Sequence, residues 1–495
     1  MINPNNTEAM TAISTPDPHP FKERAGISTR VAILFLFGAI LFLATPFYAQ
    51  PFYFGADLSY VNEMEDCGVT YYEDQVSEDP YAIFQQHGCN LVRLRLWHTP
   101  SWYDELNEGN RYGDLDDVKK AIGRAKAHGM EVLLDFHLSD RWADPGNQLA
   151  PQAWLPVVDD TDVLKDSLYN YIFNTLSHLH GEGLLPEWVQ IGNETNKGIL
   201  LSPADNQTWT LNWARNAALF NSALQAVDAV EQLYGQEIRT VIHIAGPSQA
   251  DWHVNGFVTN GVTGFDCIGL SYYWPWHMPT DIEDTRNIIE SLKAQYPDKG
   301  VMIVETGYIW TTGWNDNANN LFNSTHPDYS PASPENQREW LIDLTTAVIQ
   351  AGGAGVVYWE PAWVSSPCRT EWGQGSNYEN AAFFDFGNNL LLPGGIEWME
   401  HDYGPVSTRE ATPMEDQIQI LWDGRSNTIT LKQPGQLSET GRYFVSSPTG
   451  RILSSGIFSG PEHTFQLAGL PAGLYLVYAE ATGHRSGVKK ITFMK

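Results

Sequence analysis

At 495 residues, with 42% hydrophobic and 18% charged side chains, the chain has ample core for a large domain and a small one. A formal net charge of −30 argues against nucleic acid or an anionic membrane surface as partner, since both are held by basic patches. It fits an exported soluble protein with a neutral substrate.

Taken in order, residues Val31 to Ala44 form an apolar run of about 14, preceded by Lys22, Arg24 and Arg30 and ended by Thr45-Pro46. The run is short for a membrane span and reads as the core of a signal peptide occupying residues 1–49, with translation starting at or downstream of Met1. An uncleaved anchor is the other reading.

Strand-like and helix-like segments then alternate from residue 50 to about 405. The strand-like runs are Phe52–Asp57, Asn90–Trp97, Glu131–His137, Trp188–Ile191, Thr240–Ala245, Cys267–Tyr273, Val301–Val304 and Gly355–Glu360. Helical spacing marks Tyr81–His87, Asp114–His128, Thr161–His180, Trp209–Leu233, Ile282–Gln295 and Pro334–Ala351. Continuous apolar strands separated by helices mean a parallel sheet buried on both faces, and eight such units mean an α/β fold of the (β/α)8 TIM-barrel type. A doubly wound sheet is the runner-up, but no Gly-x-Gly-x-x-Gly turn follows the first run.

Polar residues at the strand ends converge on one mouth in such a barrel: Asp57, Arg93, Arg95, Asp135, His137, Asn193, Glu194, Tyr273, Glu305, Trp359 and Glu360. Two apolar runs end in an acid, Gly192-Asn193-Glu194 on the fourth and Glu305-Thr306-Gly307 on the seventh. A buried carboxylate without a purpose is costly, and two facing carboxyls are what glycoside hydrolysis requires. Each glutamate alone reads equally well as a turn or an ion pair; the two together, at strands four and seven, do not. That placement can set the carboxyls about 5 Å apart, the spacing of a retaining enzyme. One must then be held protonated and the other ionised. Glu360, between Trp359 and Pro361, reads as structural. Asp135 reads as the partner of an arginine inside the barrel, and His137 has no second histidine at metal-ligand spacing.

These same stretches resemble glycoside hydrolase family 53, the arabinogalactan endo-β-1,4-galactanases of clan A. The resemblance covers about residues 52–400, through Gly55-Ala-Asp57, Val92-Arg93-Leu-Arg95-Leu-Trp97, Asp135-Phe-His137-Leu-Ser139-Asp140-Arg-Trp142-Ala-Asp144-Pro145, Gly192-Asn193-Glu194, Ser271-Tyr-Tyr273, Val304-Glu305-Thr306 and Tyr358-Trp359-Glu360-Pro361-Ala362-Trp363. It implies a retaining endo-hydrolase of the β-1,4-galactan of type I arabinogalactan, a pectin side chain. Glu194 is then the acid/base and Glu305 the nucleophile. Asn193 holds the sugar 2-hydroxyl, and Arg93 and Tyr273 support the nucleophile. Asp57, His137, Trp142, Trp359 and Trp363 are expected around the substrate. The chemistry requires no cofactor. Bacterial members resembling this chain carry calcium in the loop after the seventh strand, which makes Asp316 and Asn320 candidate ligands for a structural calcium. Another clan-A glycanase, or a catalytically silent glycan-binding surface protein, is the alternative function.

The four cysteines, Cys67, Cys89, Cys267 and Cys368, contain no Cys-x-x-Cys pair, so both disulfides and buried free thiols stay open. After a linker at 406–413, short alternating runs over 414–495 read as a small β-sandwich. Leu470-Pro-Ala-Gly473-Leu-Tyr475 and Lys489-Lys-Ile491 resemble the C-terminal sorting domain of the type IX secretion system. That implies export through the periplasm to the medium or cell surface, with the secretion machinery as a partner. A carbohydrate-binding module is the alternative there, with Trp422, Tyr443 and Tyr475 as its aromatic candidates. The protein is expected to be a monomer without a stable membrane span.

Overall fold

A computed structural model describes residues 52–404 and, beyond them, residues 418–423, 428–432, 440–447, 452–466, 473–481, 484–485 and 489–493. The signal-peptide and linker expectations lie outside these residues. Among the described residues no helix is long and apolar enough to cross a membrane.

Eight parallel strands close into a barrel: β1 (Tyr53–Asp57), β2 (Leu91–Leu96), β3 (Glu131–Phe136), β4 (Trp188–Ile191), β5 (Arg239–Ala245), β6 (Cys267–Tyr272), β7 (Gly300–Thr306) and β8 (Gly355–Tyr358). Each pairs with its neighbours in sequence, and β1 closes the ring on β8. The crossovers are α1 (Pro80–Gln86), α2 (Leu115–Ala127), α3 (Thr161–Gly181), α4 (Trp213–Tyr234), α5 (Ala250–Thr259), α6 (Ile282–Gln295) and α7 (Pro334–Gln350). Their starts follow capping chemistry. Asp79, Asp114, Asp160, Asn212, Asp281 and Ser333 each accept a first-turn backbone N–H through the side chain. The sequence pattern does not show α5, where Asp251, Asn255 and Gly256 break up the apolar spacing.

Alternation along the strands sorts the core into two shells. Outward residues such as Val92, Leu94, Val132, Leu134, Ile242 and Ile244 pack beneath the helices. Inward residues Tyr53, Leu91, Leu133, Trp188, Val241, Cys267, Met302 and Val357 plug the lower barrel. Further along the first seven strands the interior turns polar: Asp57, Arg93, Asp135, Gln190, His243, Ser271 and Glu305 are all buried. Strand β7 reaches this layer only through a register shift. Leu270 pairs with Ile303 but Ser271 pairs with Glu305, so Val304 is an extra residue. The bulge lets Val304 and Glu305 both face inward, where strict alternation would have sent Glu305 toward the helices.

Cys67 and Cys368 form a disulfide that joins the short helix Val61–Asp66 to the loop after β8, and Cys89 and Cys267 are buried free thiols. In the C-terminal segment, β9 (Gln419–Asp423), β10 (Thr428–Lys432) and a strand at Glu462–Gln466 form one antiparallel sheet. Gly441–Ser446, Ile452–Phe458, Gly473–Ala481 and Lys489–Phe493 contribute to a second. Ile429, Leu431, Val445, Val477 and Ile491 form a core of their own. Two of the aromatics considered for sugar binding are not free faces: Tyr475 is buried, and Tyr443 stacks on Phe465 at 3.8 Å. The Trp422 side chain lies outside the described residues.

The disulfide spans 301 residues of sequence, so it constrains the unfolded chain strongly. Replacing both partners (Cys67→Ala with Cys368→Ala) should lower unfolding free energy by roughly 2–5 kcal/mol. Denaturant titration of the purified pair variant checks this, and an unchanged midpoint would contradict it.

Candidate active site

At the C-terminal mouth of the barrel a cleft of about 470 Å³ holds Glu194 and Glu305 together. Tryptophans 142, 276, 359, 363 and 372 and Tyr273 supply its aromatic surface, and Asp144, Asn193, His277 and Asn377 add polar groups.

Arg93 organises the floor. Its guanidinium is 1% exposed and lies 2.7 Å from Asp57 Oδ2, 2.8 Å from Asp135 Oδ2 and 2.9 Å from Glu305 Oε1. It also donates to Asn193 Oδ1 at 2.7 Å and to Gln190 Oε1 at 3.3 Å. Burial alone would weaken its hold on the proton, but Asp135, Glu305 and Asp57 reverse that and keep it charged. His137 Nδ1 sits 2.8 Å from Asp135 Oδ2. Burial still pulls the imidazole below its usual pKa, against the attraction of Asp135.

The two glutamates occupy different surroundings. Burial pushes Glu194 up to about 8, and the charge of Glu305 pushes in the same direction. Burial also raises Glu305, to about 7, but the Arg93 charge and the Tyr273 hydroxyl, which donates to Oε2 at 3.3 Å, pull it back. The pair therefore gives up its first proton from Glu305 and keeps one on Glu194.

Backbone geometry aims Glu194. Its φ is +46°, a left-handed conformation that a non-glycine residue adopts only when its surroundings hold it there. Here Glu194 N–H donates to His243 Nδ1 at 3.2 Å, and Gln148 Nε2 donates to the carbonyls of Asn193 and Glu194 at 2.7 and 3.1 Å. Gly192, at φ +75°, makes the preceding turn, where a Cβ would lie 2.7 Å from Thr195. Burial and the Arg93 charge keep His243 neutral. With Nδ1 accepting, Nε2 carries the hydrogen and donates to Ser271 Oγ at 2.8 Å, which frees the Ser271 hydroxyl to face Glu194. On the opposite strand Gly307 leaves room for Tyr378, whose hydroxyl would lie 1.6 Å from a Cβ there.

The expected site residues fall at two depths. Glu194, Glu305, Asn193, Tyr273, Trp142, Trp359 and Trp363 line the cleft. Asp57, Arg93 and His137 do not: they are buried under the lining, and their contacts are with protein groups. Asp57 and His137, expected around the substrate, thus lie beneath the cleft lining in this structure. Strand alternation turns them inward, but they stop one layer short of the surface. Asn193 uses Oδ1 for Arg93 and one Nδ2 hydrogen for the Ala143 carbonyl, which leaves one hydrogen for a ligand. Glu360 pairs with Arg95 at 3.0 Å, and the Arg95 guanidinium lies under the Trp142 ring at 4.3 Å. The sequence by itself assigns no role to Gln190, His243 or Ser271. Their inward phase on otherwise apolar strands marked all three, and Ser271 also falls in a stretch that carries the family resemblance.

Of the two candidate calcium residues, Asp316 accepts backbone N–H groups from Ala318, Ser366 and Ser376 at 2.9, 3.2 and 2.6 Å, which ties two loops together. Asn320 donates Nδ2 to the Gly313 carbonyl, and its Oδ1 is buried without a hydrogen-bond partner. Among the described residues no group of three or more His, Cys, Asp or Glu is arranged to hold a metal ion.

The description Glycosyl hydrolase family 53 matches residues 53–393. An arabinogalactan endo-β-1,4-galactanase of Cellvibrio japonicus (strain Ueda107) is 47% identical over 337 residues, covering 68% of this chain and 87% of that protein. An endo-β-1,4-galactanase of Bacillus subtilis (strain 168) is 31% identical, covering 68% and 83%. Among solved structures, the GH53 catalytic domain of Ignisphaera aggregans superposes with a TM-score of 0.61 at 33% identity, covering 72% of this chain and 97% of that one. The match runs from the first barrel strand to well past the eighth and takes in both strand-end glutamates, so the chain belongs to glycosyl hydrolase family 53.

Proposed function

We propose that the protein is a retaining endo-β-1,4-galactanase acting on the galactan of type I arabinogalactan. The observation that carries this reading is one cleft holding two glutamates of which only Glu305 contacts a cation. The names of the related galactanases point to the substrate.

In this reading Glu194 gives its proton to the glycosidic oxygen as that bond breaks, and the leaving chain departs as a neutral alcohol. Glu305 attacks the anomeric carbon and forms a glycosyl ester. Glu194, now ionised, takes a proton from water, whose oxygen attacks the same carbon and releases Glu305. Arg93 and Tyr273 hold Glu305 ionised for attack and stabilise it again as it leaves. The remaining Asn193 hydrogen faces the 2-hydroxyl, a contact that strengthens as the oxocarbenium-like transition state forms. Trp142, Trp359 and Trp363 give the sugar rings apolar faces.

We also propose that the protein is exported and that residues 414–495 act as a type IX sorting domain. The charged-then-apolar N-terminal segment, the Leu-Pro-Ala-Gly-Leu-Tyr motif and the separate β-rich core support this. The Cys67–Cys368 disulfide also suits an oxidising compartment.

The direct test is reducing-sugar release from linear β-1,4-galactan, carboxymethylcellulose and β-mannan, with the anomer of the first product read by proton NMR. Release of β-anomeric oligosaccharides from galactan alone is expected; release from another glycan only would overturn the substrate assignment. Glu305→Gln should lower kcat by more than about 1,000-fold while galactan retention on an affinity gel persists. Full activity in that variant would remove Glu305 from the mechanism. The rate should be bell-shaped in pH, its acid limb set by ionisation of Glu305 and its basic limb by loss of the Glu194 proton. Tyr273→Phe removes a donor that favours the ionised Glu305. The acid limb should then move to higher pH with the basic limb nearly fixed, and a shift to lower pH would contradict the assignment.

A further inference from the structure

Trp372 is exposed to 56%, yet its side chain lines the same cleft as the two glutamates. It stands apart from the other cleft tryptophans. Trp142, Trp359 and Trp363 are wedged among one another and Tyr60, and Trp276 packs on Tyr273 at 4.7 Å, next to Glu305. Among the described residues no aromatic ring packs on Trp372. Trp209, Trp252 and Trp314 are at least as exposed, but of these four only Trp372 lines the cleft, with an indole face open beside it.

The hairpin that carries it is fixed from several sides. Its strands, Arg369–Thr370 and Gly373–Gln374, are antiparallel, and Trp372 N–H donates to Thr370 Oγ1 at 3.2 Å. At the root, Cys368 is bonded to Cys67, and the Gly375 N–H donates to the Cys368 carbonyl at 2.9 Å. Asn107 clamps Arg369 in both directions, donating to its carbonyl at 2.8 Å and accepting its N–H at 3.1 Å. Asp316 ties down Ser366 before the hairpin and Ser376 after it. These contacts fix the backbone that carries the indole, so binding to it need not order the loop.

Building on the galactanase reading, we propose that Trp372 is the platform of a remote sugar subsite, stacking against a galactosyl unit of the polymer several residues from the bond being cut. The C–H face of a β-galactopyranose is apolar and flat enough to lie on an indole, and the subsite needs no charge, which suits a neutral polysaccharide. The disulfide and Asn107 clamp then serve to hold this platform at a fixed height over the cleft, and the subsite favours long chains over short ones.

The test compares Trp372→Ala, Trp372→Phe and the unchanged enzyme on linear β-1,4-galactan and on 4-nitrophenyl β-1,4-galactobioside, which has only two sugars. Trp372→Ala should reduce the ratio of kcat/KM on polymer to kcat/KM on the bioside at least tenfold, mainly through KM, and Trp372→Phe should restore that ratio to within about threefold. Equal losses on both substrates, or no change in the ratio, would overturn the remote subsite. Inactivity of the unchanged enzyme on galactan would instead refute the galactanase reading on which it rests.

Discussion

One buried guanidinium faces three carboxylates, and the upper half of the barrel is arranged around that imbalance. Arg93 reaches Asp57, Asp135 and Glu305 within 2.9 Å. Charges so deep must be paired, because water is not available to solvate them. Asp57 and Asp135 fix the guanidinium from strands on either side of β2. The remaining face points at Glu305, which keeps that acid ionisable in a place where burial would otherwise protonate it. Removing any member leaves the others with an unpaired buried charge, so the floor acts as a unit.

The other glutamate depends on backbone rather than charge. Glu194 has no cation at contact distance, and burial beside Glu305 raises its pKa. Its direction comes from a left-handed residue at the end of β4, held by His243 and Gln148. His243 is itself neutral through burial, so it accepts one hydrogen bond and donates another to Ser271. The two carboxyls thus acquire opposite tasks from two kinds of constraint: an ion pair on β7 and a strained turn on β4.

Above this floor the cleft is mostly aromatic. Trp142 covers the Arg95 guanidinium, which is paired with Glu360, so even a polar interior ends in an apolar surface toward the substrate. The cleft thus offers ring faces with a few polar side chains among them, a surface that suits a neutral polysaccharide.

Much of this was legible in the sequence. Eight apolar runs with helical segments between most of them pointed to a parallel barrel, since strands buried on both faces need helices to cover them. An acid terminating an apolar run marked Glu194 and Glu305, because such a residue is costly unless used. Local pattern also paired Asp135 with an arginine. Tertiary structure decided the rest. The bulge at Val304 that turns Glu305 inward depends on pairing with β6, and alternation along β7 alone would place it on the outer face. Depth along a strand separates Asp57 and His137 from the cleft, and periodicity gives direction without depth. The N–H donors that Asp316 gathers come from Ser366 and Ser376, some 50 and 60 residues away, and no local pattern announces them. The Cys67–Cys368 bond joins residues 301 apart, and the exposed Trp372 sits in a Gly-rich turn with no periodic signal. Chain periodicity reports which face is buried, whereas contacts between distant segments exist only once the barrel has closed.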